Sequence, residues 1–277
     1  MKNLLRSLRG ALTACGGLVV ASGLASAETR HFTPNHNFSN AGVYSPGKSG
    51  FNLADVNSIA QLRGLPPGVK GLVWIGKCDG ADEQFIATVS PYLSEPNLYG
   101  FYLMDDPDPR FGLHRCRPES LRAEADWVHQ HAPGAITFIV LMNMKSAYAP
   151  SFRDTYNPEN SHVDLFGIDP YPCRTEANGC DYSMIEKYVE AAEAWGIPRS
   201  KMVPVFQAFG GGEWSDGNGG KYVMPSPPQL EEILRRWRAL IPSPAFDYAY
   251  SWGSQRGAAA LEDDPALQDI FSRHNRE

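Results

Sequence analysis

Two adjacent acids, Asp105 and Asp106, directly follow the apolar run LYGFYLM. Adjacent carboxylates repel each other and apolar surroundings disfavour charge, so we expect one of the pair to have a raised pKa. A carboxyl group that stays protonated near neutral pH can serve as a general acid. Neighbouring strand residues point to opposite faces, so only one of the two enters a shared site unless the strand bends there. The alternative interpretation is a capping or turn aspartate beside Pro107.

A third acid, Asp169, follows the apolar run DLFGI and precedes the turn-forming tripeptide Pro-Tyr-Pro. We expect it to be the second carboxylate of a hydrolase. It would be a nucleophile or charge stabiliser in a retaining enzyme, or the base that activates water in an inverting enzyme, and the separation of the carboxyl groups decides between these. The alternative is an Asp-Pro pair that only forms a turn.

Amide and aromatic side chains close other predicted strands. This combination suits a sugar, because amides bind hydroxyl groups and aromatic faces stack on pyranose rings. The predicted substrate-binding residues are Gln207, Tyr171, Trp252, Trp74 and Asp55. The alternatives are a buried, internally satisfied amide for Gln207, core packing for Trp252 and a helix cap for Asp55. The seven histidines show no H-x-x-x-H spacing, so neither a metal site nor a cofactor is predicted.

Apolar runs alternate with amphipathic helices along most of the chain. Continuous apolar runs are typical of parallel strands buried on both faces. The predicted strands cover residues 50–54, 70–75, 98–104, 136–142, 164–168, 202–206 and 248–252, with 41–44 as the candidate for an eighth. This alternation predicts a (β/α)8 barrel, in which side chains at the carboxyl ends of the strands line the active site. The competing doubly wound sheet lacks a Gly-rich dinucleotide turn after its first strand.

Helix boundaries carry their own signals. Pro118 is predicted to begin a helix, and Ser226 is predicted to cap another. Ser183 and Glu186 have the spacing of a capping box.

Residues 1–27 are typical of a secretory signal peptide. Basic residues precede the apolar stretch 11–24, and the tripeptide ASA at 25–27 matches the A-x-A cleavage pattern. We therefore expect residues 28–277 to form a single secreted or periplasmic domain. The alternative is a lipoprotein anchored at Cys15, although that cysteine precedes most of the apolar stretch.

Four cysteines follow the signal segment, and four allow three pairings. Export favours disulfides. Because Cys173 and Cys180 flank one short polar loop, we pair them, and we pair Cys78 with Cys116. A zinc site built from all four thiolates lacks C-x-x-C spacing.

The run GFYLMDDPDP resembles the strand-end segment G-x-Y-x-x-D-E-P of secreted bacterial glycoside-hydrolase-like barrels, and FGIDPYP, VFQAFG and YSWG resemble their later strand ends. The paired acids are similar to those of the spherulin-4-like and polygalactosaminidase glycosidases. The resemblance implies a (β/α)8 barrel with an acid pair at one strand end, matching Asp105 and Asp106, and a further acid, matching Asp169. The second acid of the pair is Asp106 rather than Glu, which shortens its reach by one methylene.

These observations predict a secreted glycoside hydrolase that cleaves a polysaccharide or oligosaccharide by two-carboxylate chemistry without a cofactor. The alternatives are a non-catalytic carbohydrate-binding barrel and another secreted hydrolase, such as a metal-dependent deacetylase. The chain has 31 acidic against 25 basic residues, for a formal charge of −6, and no basic run. Nucleic acid is therefore not an expected partner.

Overall fold

A computed structural model of the chain describes residues 29–109, 115–141, 155–215 and 219–277. Eight parallel strands close into a barrel, which confirms the predicted (β/α)8 architecture. In barrel order they are β1 (Arg30–Thr33), β2 (Leu53–Val56), β3 (Lys70–Trp74), β4 (Leu98–Asp105), β5 (Ile136–Leu141), β6 (Leu165–Ile168), β9 (Met202–Gln207) and β10 (Phe246–Tyr250). Between β6 and β9 lies a small antiparallel hairpin of β7 (Cys173–Arg174) and β8 (Gly179–Cys180). The predicted signal peptide, Cys15 and Met142 lie outside the described residues.

Helices follow the strands and cover the outside of the barrel. Those in the described residues are α1 (Ile59–Arg63), α2 (Glu83–Val89), α3 (Pro118–His131), α4 (Pro158–Ser161), α5 (Ser183–Ala194), α6 (Pro227–Leu240) and α7 (Pro265–His274). Between β1 and β2 the corresponding element is the short 3-10 helix Pro46–Ser49. None of the helices in these parts of the chain is long and apolar enough to cross a membrane.

The helix starts agree with the sequence signals in two cases out of three. Pro118 begins α3, and Ser226 caps α6 in a capping box with Gln229. The capping box predicted at Ser183 is wrong, because Ser183 is already the first residue of α5. Its hydroxyl donates instead to Asp181 Oδ1 at 2.6 Å, so the aspartate two residues upstream organises this helix start.

The eighth strand was predicted at residues 41–44, and this is wrong. Val43 is 63% exposed, and the true strand is β1, which carries the sequence RHFT. Only Phe32 of β1 joins the apolar barrel interior. Thr33 faces outward, where its hydroxyl donates to Ala249 O at 2.8 Å. The polar side chains of β1 form hydrogen bonds within the protein, so the strand has no continuous apolar run by which the sequence could identify it.

Aromatic side chains dominate the barrel interior. The interior cluster consists of Phe32, Leu53, Leu72, Tyr102, Phe138, Val140, Leu165, Val203, Val205, Phe246 and Tyr248. A second cluster fills the layer between the strands and the helices, and it contains Trp252, which is 2% exposed and packs against Phe51. Trp252 therefore belongs to the core outside the barrel wall.

Both predicted disulfides are present. Cys78–Cys116 ties the segment after β3 to the start of α3, and Cys173–Cys180 closes the β7–β8 hairpin. In the chain-entropy model the longer loop gives about 4 kcal/mol of stability and the shorter about 2 kcal/mol.

The burial of Trp252 gives a test of its role. We expect Trp252→Ala to lower the free energy of unfolding by about 3–5 kcal/mol, because it empties a large space in a packed layer. Trp74→Ala is the matched control, since Trp74 is only partly buried and its removal leaves a site open to water. Urea unfolding of both variants measures the difference, and equal losses would contradict this placement.

Candidate active site

A bulge in β4 sets the direction of Asp105. The pairing of β4 with β5 shifts between Tyr102 and Met104. Tyr102 faces the barrel interior, whereas Leu103 and Met104 both join the outer layer. Two successive outward residues break the alternation of the strand, so Asp105 points inward, where the Tyr102 hydroxyl donates to its Oδ1 at 2.5 Å. Bulges commonly re-aim side chains beside active sites in this way.

Asp106 reaches the same mouth by a backbone turn. It has a φ of 47°, in the left-handed region that few non-glycine residues adopt. Its N–H donates to Val140 O at 3.2 Å, which holds the end of β4 against β5. The charges of Asp105 and Asp169 both act on its carboxyl group. The strand end therefore bends, as the entry of both paired acids into one site requires.

Asp169 follows β6, which lies two strands from β4 with β5 between them. Leu165 faces the barrel interior while Phe166 and Ile168 face the outer layer, so regular alternation directs Asp169 inward. It is 5% exposed. The Tyr171 side chain forms a hydrogen bond with its carboxylate, and the positive charge of Arg174 attracts it. The structure thus brings together the three acids predicted from the sequence.

Burial and mutual repulsion raise the pKa values in this cluster. The pKa of Asp106 lies well above its usual range because of burial, and the charges of Asp105 and Asp169 raise it further. The pKa of Asp169 is raised by burial and by Asp105, but Arg174 and Tyr171 oppose that rise. Among the described residues, Oδ1 of Asp106 and Oδ1 of Asp169 have no hydrogen-bond partner. The described surroundings of Asp169 therefore supply partners for its anion, and those of Asp106 supply none.

Asp55 adds a fourth carboxyl group on the neighbouring side of the barrel. Leu53 of the same strand faces the interior and Ala54 the outer layer, so Asp55 points into the mouth. Its Oδ2 accepts the Asn35 N–H at 3.1 Å. Burial raises its pKa to about 6. The helix-cap alternative is wrong, because Ser58 caps α1.

Aromatic rings form the wall around these acids. Trp74 packs edge-to-face on Tyr102 with ring centroids 4.7 Å apart, and Tyr171 lies 5.9 Å from Tyr250. Tyr250 was missed in the sequence, although its alternation with Phe246 along β10 could have identified it. Its hydroxyl donates to Gln255 Oε1 at 2.6 Å, which fixes the ring at the rim.

The amide of Gln207 is fully used by the protein. Its Oε1 accepts the Cys173 N–H at 2.8 Å, and its Nε2 donates to the carbonyls of Cys173 and Val223 at 3.0 and 2.9 Å. The side chain is completely buried. The predicted contact of Gln207 with substrate is therefore corrected: it anchors the loop that carries the β7–β8 hairpin.

Trp252 is corrected in the same way. It follows β10 but lies in the outer layer rather than at the mouth, with Lys48 Nζ 5.1 Å from its ring. A tryptophan at this position cannot form the floor of a sugar subsite. Of the five predicted substrate-binding residues, Tyr171, Trp74 and Asp55 remain at the mouth.

No family model matches the sequence, and no curated protein matches it. Solved structures do share its fold. The C-terminal domain of a predicted chitinase from Desulfitobacterium hafniense DCB-2 has a TM-score of 0.60 at 11% identity, covering 90% of this chain and 99% of that one.

Two plant proteins are similar as well. A GH18 chitinase from Cycas revoluta in complex with (GlcNAc)3 has a TM-score of 0.52 at 14% identity, covering 91% of this chain and 100% of its own. The chitinase-like agglutinin of Robinia pseudoacacia has a TM-score of 0.51 at 12% identity, covering 88% and 98%. At such identities the similarity establishes the fold alone, a (β/α)8 barrel.

The crowded acids make a prediction about stability. In the native state the pKa values of Asp106 and Asp169 lie well above the value of about 3.9 for a free aspartate. The folded chain therefore binds more protons than the unfolded chain above that pH, and stability falls as pH rises through this window towards the native pKa values. We expect Asp106→Asn to raise the free energy of unfolding at pH 7 by about 1 kcal/mol, because asparagine does not titrate and so removes the cost that folding incurs when it raises the pKa of Asp106.

Urea unfolding between pH 4 and pH 8 measures this effect, and the variant should show a flatter pH dependence than the wild type. Asp263→Asn is the control, because Asp263 is exposed and lies after β10 in a 3-10 helix, away from the barrel mouth. A loss of stability in Asp106→Asn at every pH would contradict the repulsion described above.

Proposed function

We propose that this protein is a glycoside hydrolase that cleaves an oligosaccharide or polysaccharide in its barrel mouth. The observation that supports this most is the convergence of Asp105, Asp106 and Asp169 within an aromatic wall. Two carboxyl groups with different proton affinities are the usual requirement for hydrolysis of a glycosidic bond. Aromatic faces supply the surface on which a sugar ring stacks.

Asp106 and Asp169 have different surroundings, and we assign them different catalytic roles. Within the described parts of the chain, neither a cation nor a hydrogen-bond donor lowers the pKa of Asp106. It is therefore the general acid that protonates the leaving oxygen. Asp169 has both Arg174 and Tyr171 to stabilise its anion, so it is the second carboxylate. Environments that push two acids apart in pKa assign the acid and its ionised partner.

Asp105 modulates both of these groups. Its charge raises the pKa of Asp106 and of Asp169. The hydrogen bond from Tyr102 fixes its position, and burial keeps Tyr102 protonated as a donor because it raises the pKa of the phenol. Asp55, Trp74 and Tyr171 position the sugar around this centre.

The Cycas chitinase complex supports oligomers of N-acetylglucosamine as the first substrates to test. The two disulfides are consistent with an extracytoplasmic location. We propose export by the signal peptide at residues 1–27, with anchoring at Cys15 as the alternative.

A second candidate function is carbohydrate binding without cleavage. The Robinia agglutinin, which shares this fold, supports it. In that case the acids would bind hydroxyl groups, and their replacement would reduce affinity without any turnover to lose.

The proposal predicts the effect of removing either acid. We expect Asp106→Asn and Asp169→Asn each to lower kcat/KM by roughly a hundredfold or more, which is the usual contribution of acid–base catalysis. Wild-type activity should fall as pH rises through the raised pKa of Asp106, because the acid then loses its proton. Release of reducing sugar from a panel that includes chitooligosaccharides measures both.

Binding measurements separate the two candidate functions. The Asp106→Asn variant should still bind the cleaved oligosaccharide, read by tryptophan fluorescence, and Asp263→Asn should keep full activity. Full activity in both mouth variants would refute the catalytic assignment. Binding by the wild type with no cleavage of any sugar it binds would favour the lectin-like function.

A further inference from the structure

A second group of polar side chains lies at the other end of the barrel. His31 and Asp247 are the second residues of β1 and β10, so they lie near the amino ends of the strands, whereas Asp106 follows the carboxyl end of β4. Their neighbours Phe32 and Phe246 fill the barrel interior, so these two side chains face outward. His274, the last residue of α7, meets them there.

The three side chains converge closely. His31 Nδ1 lies 2.9 Å from Asp247 Oδ1, and His274 Nε2 lies 2.8 Å from Asp247 Oδ2. One potential ligand atom from each residue lies within 4.8 Å of the others. The three side chains are 9%, 5% and 12% exposed, so water competes little for them.

These residues also line a cavity of about 630 Å³ between the barrel, α6 and the C-terminal segment. Trp237 and Asn275 line the same cavity. Within the described part of the chain, Trp237 Nε1 and Asn275 Oδ1 are buried with no hydrogen-bond partner. Buried polar atoms are normally satisfied, so an unsatisfied donor and acceptor on residues that line one cavity are unusual in a folded protein.

We propose that His31, Asp247 and His274 bind a divalent transition-metal ion of the Zn²⁺ type. Two imidazoles and a carboxylate form a ligand set that suits zinc, and three protein ligands leave a fourth position for water. Zinc bonds of about 2.0–2.2 Å place neighbouring ligands of a tetrahedral site about 3.3–3.5 Å apart. The two His–Asp contacts lengthen by about 0.5 Å to reach this spacing, and the imidazole nitrogens of His31 and His274, which lie within 4.8 Å of each other, adjust to the same spacing.

The neighbouring charges are compatible with an ion here. Arg238 Nη2 lies 3.4 Å from His274 Nδ1, and its guanidinium is also paired with the Glu277 carboxylate. When Nε2 of His274 binds metal, its proton lies on Nδ1. The long contact with Arg238 is then given up, and Arg238 keeps its pair with Glu277. The bound ion links the C-terminal helix α7 to strands β1 and β10.

Zinc binding to the full chain tests the proposal. After treatment with chelator and dialysis, the wild type should bind close to one Zn²⁺ per chain by metal analysis and show a Tm raised by at least 3 °C with excess zinc. Asp247→Asn and His274→Gln should each weaken binding at least tenfold and lose most of that rise. Loading with Co²⁺ should give the strong visible absorption of a four-coordinate site.

The matched control is His129→Gln, because His129 pairs with Asp164 in a similar His–Asp contact that is exposed. It should bind zinc as the wild type does.

Should Asp247→Asn fail to fold, His274→Gln and the cobalt spectrum of the wild type still decide the question. Equal zinc binding in the wild type and in both site variants, or no binding in the wild type, would overturn the proposal. No binding would leave a metal-free His–Asp–His link. The readouts do not depend on hydrolysis, so the outcome is separate from that of the proposed catalytic function.

Discussion

Electrostatic repulsion among buried carboxyl groups is the constraint around which the barrel mouth is organised. Like charges repel most strongly where water is excluded, so Asp105, Asp106 and Asp169 are held together only because other interactions of the fold fix them. The strands that carry them are neighbours of β5 and are paired along their length. The fold gives up some stability at this end and raises the pKa values of Asp106 and Asp169 above those of free aspartates.

The cation beside Asp169 depends on a chain of contacts that begins on β9. Gln207 binds both backbone groups of Cys173, and the disulfide of Cys173 with Cys180 closes the hairpin. The next residue, Arg174, is thereby held over the Tyr222 ring at 5.2 Å, with its Nε donating to Tyr171 O at 2.9 Å. Gln207, which is buried and cannot contact a substrate, thus positions the Arg174 cation that acts on Asp169.

The sequence was sufficient for the barrel, for the cysteine pairs and for the placement of the three acids at strand ends, because apolar runs and strand-end polar residues are local signals. It was insufficient wherever the direction of a side chain depended on distant atoms. The amide of Gln207 stands at the right strand end, yet its partners are loop carbonyls that lie far away along the chain. Trp252 lies two residues beyond β10, where the alternation of the strand no longer determines its face.

Strand β1 was also missed because its structure depends on contacts that are distant in the sequence. Its polar residues are buried because His31 meets Asp247, a partner 216 positions away. No spacing rule connects such residues, and for the same reason the histidine motifs of the sequence did not reveal the cluster with His274. Closure of the barrel, which pairs the first strand with the last, brings them together.

The extra residue in β4 has an evolutionary consequence. Leu103 and Met104 both face outward, where a regular strand would have only one outward residue between two inward ones. The orientation of Asp105 therefore depends on the number of residues between Tyr102 and Asp105 rather than on their types. Deleting either aliphatic residue would preserve every acid of the mouth and would barely change the hydrophobicity of the chain, yet it would rotate Asp105 towards the helices. In a distant relative, a gap at this point would mark a barrel mouth into which the aspartate equivalent to Asp105 no longer points, even where all the aspartates persist.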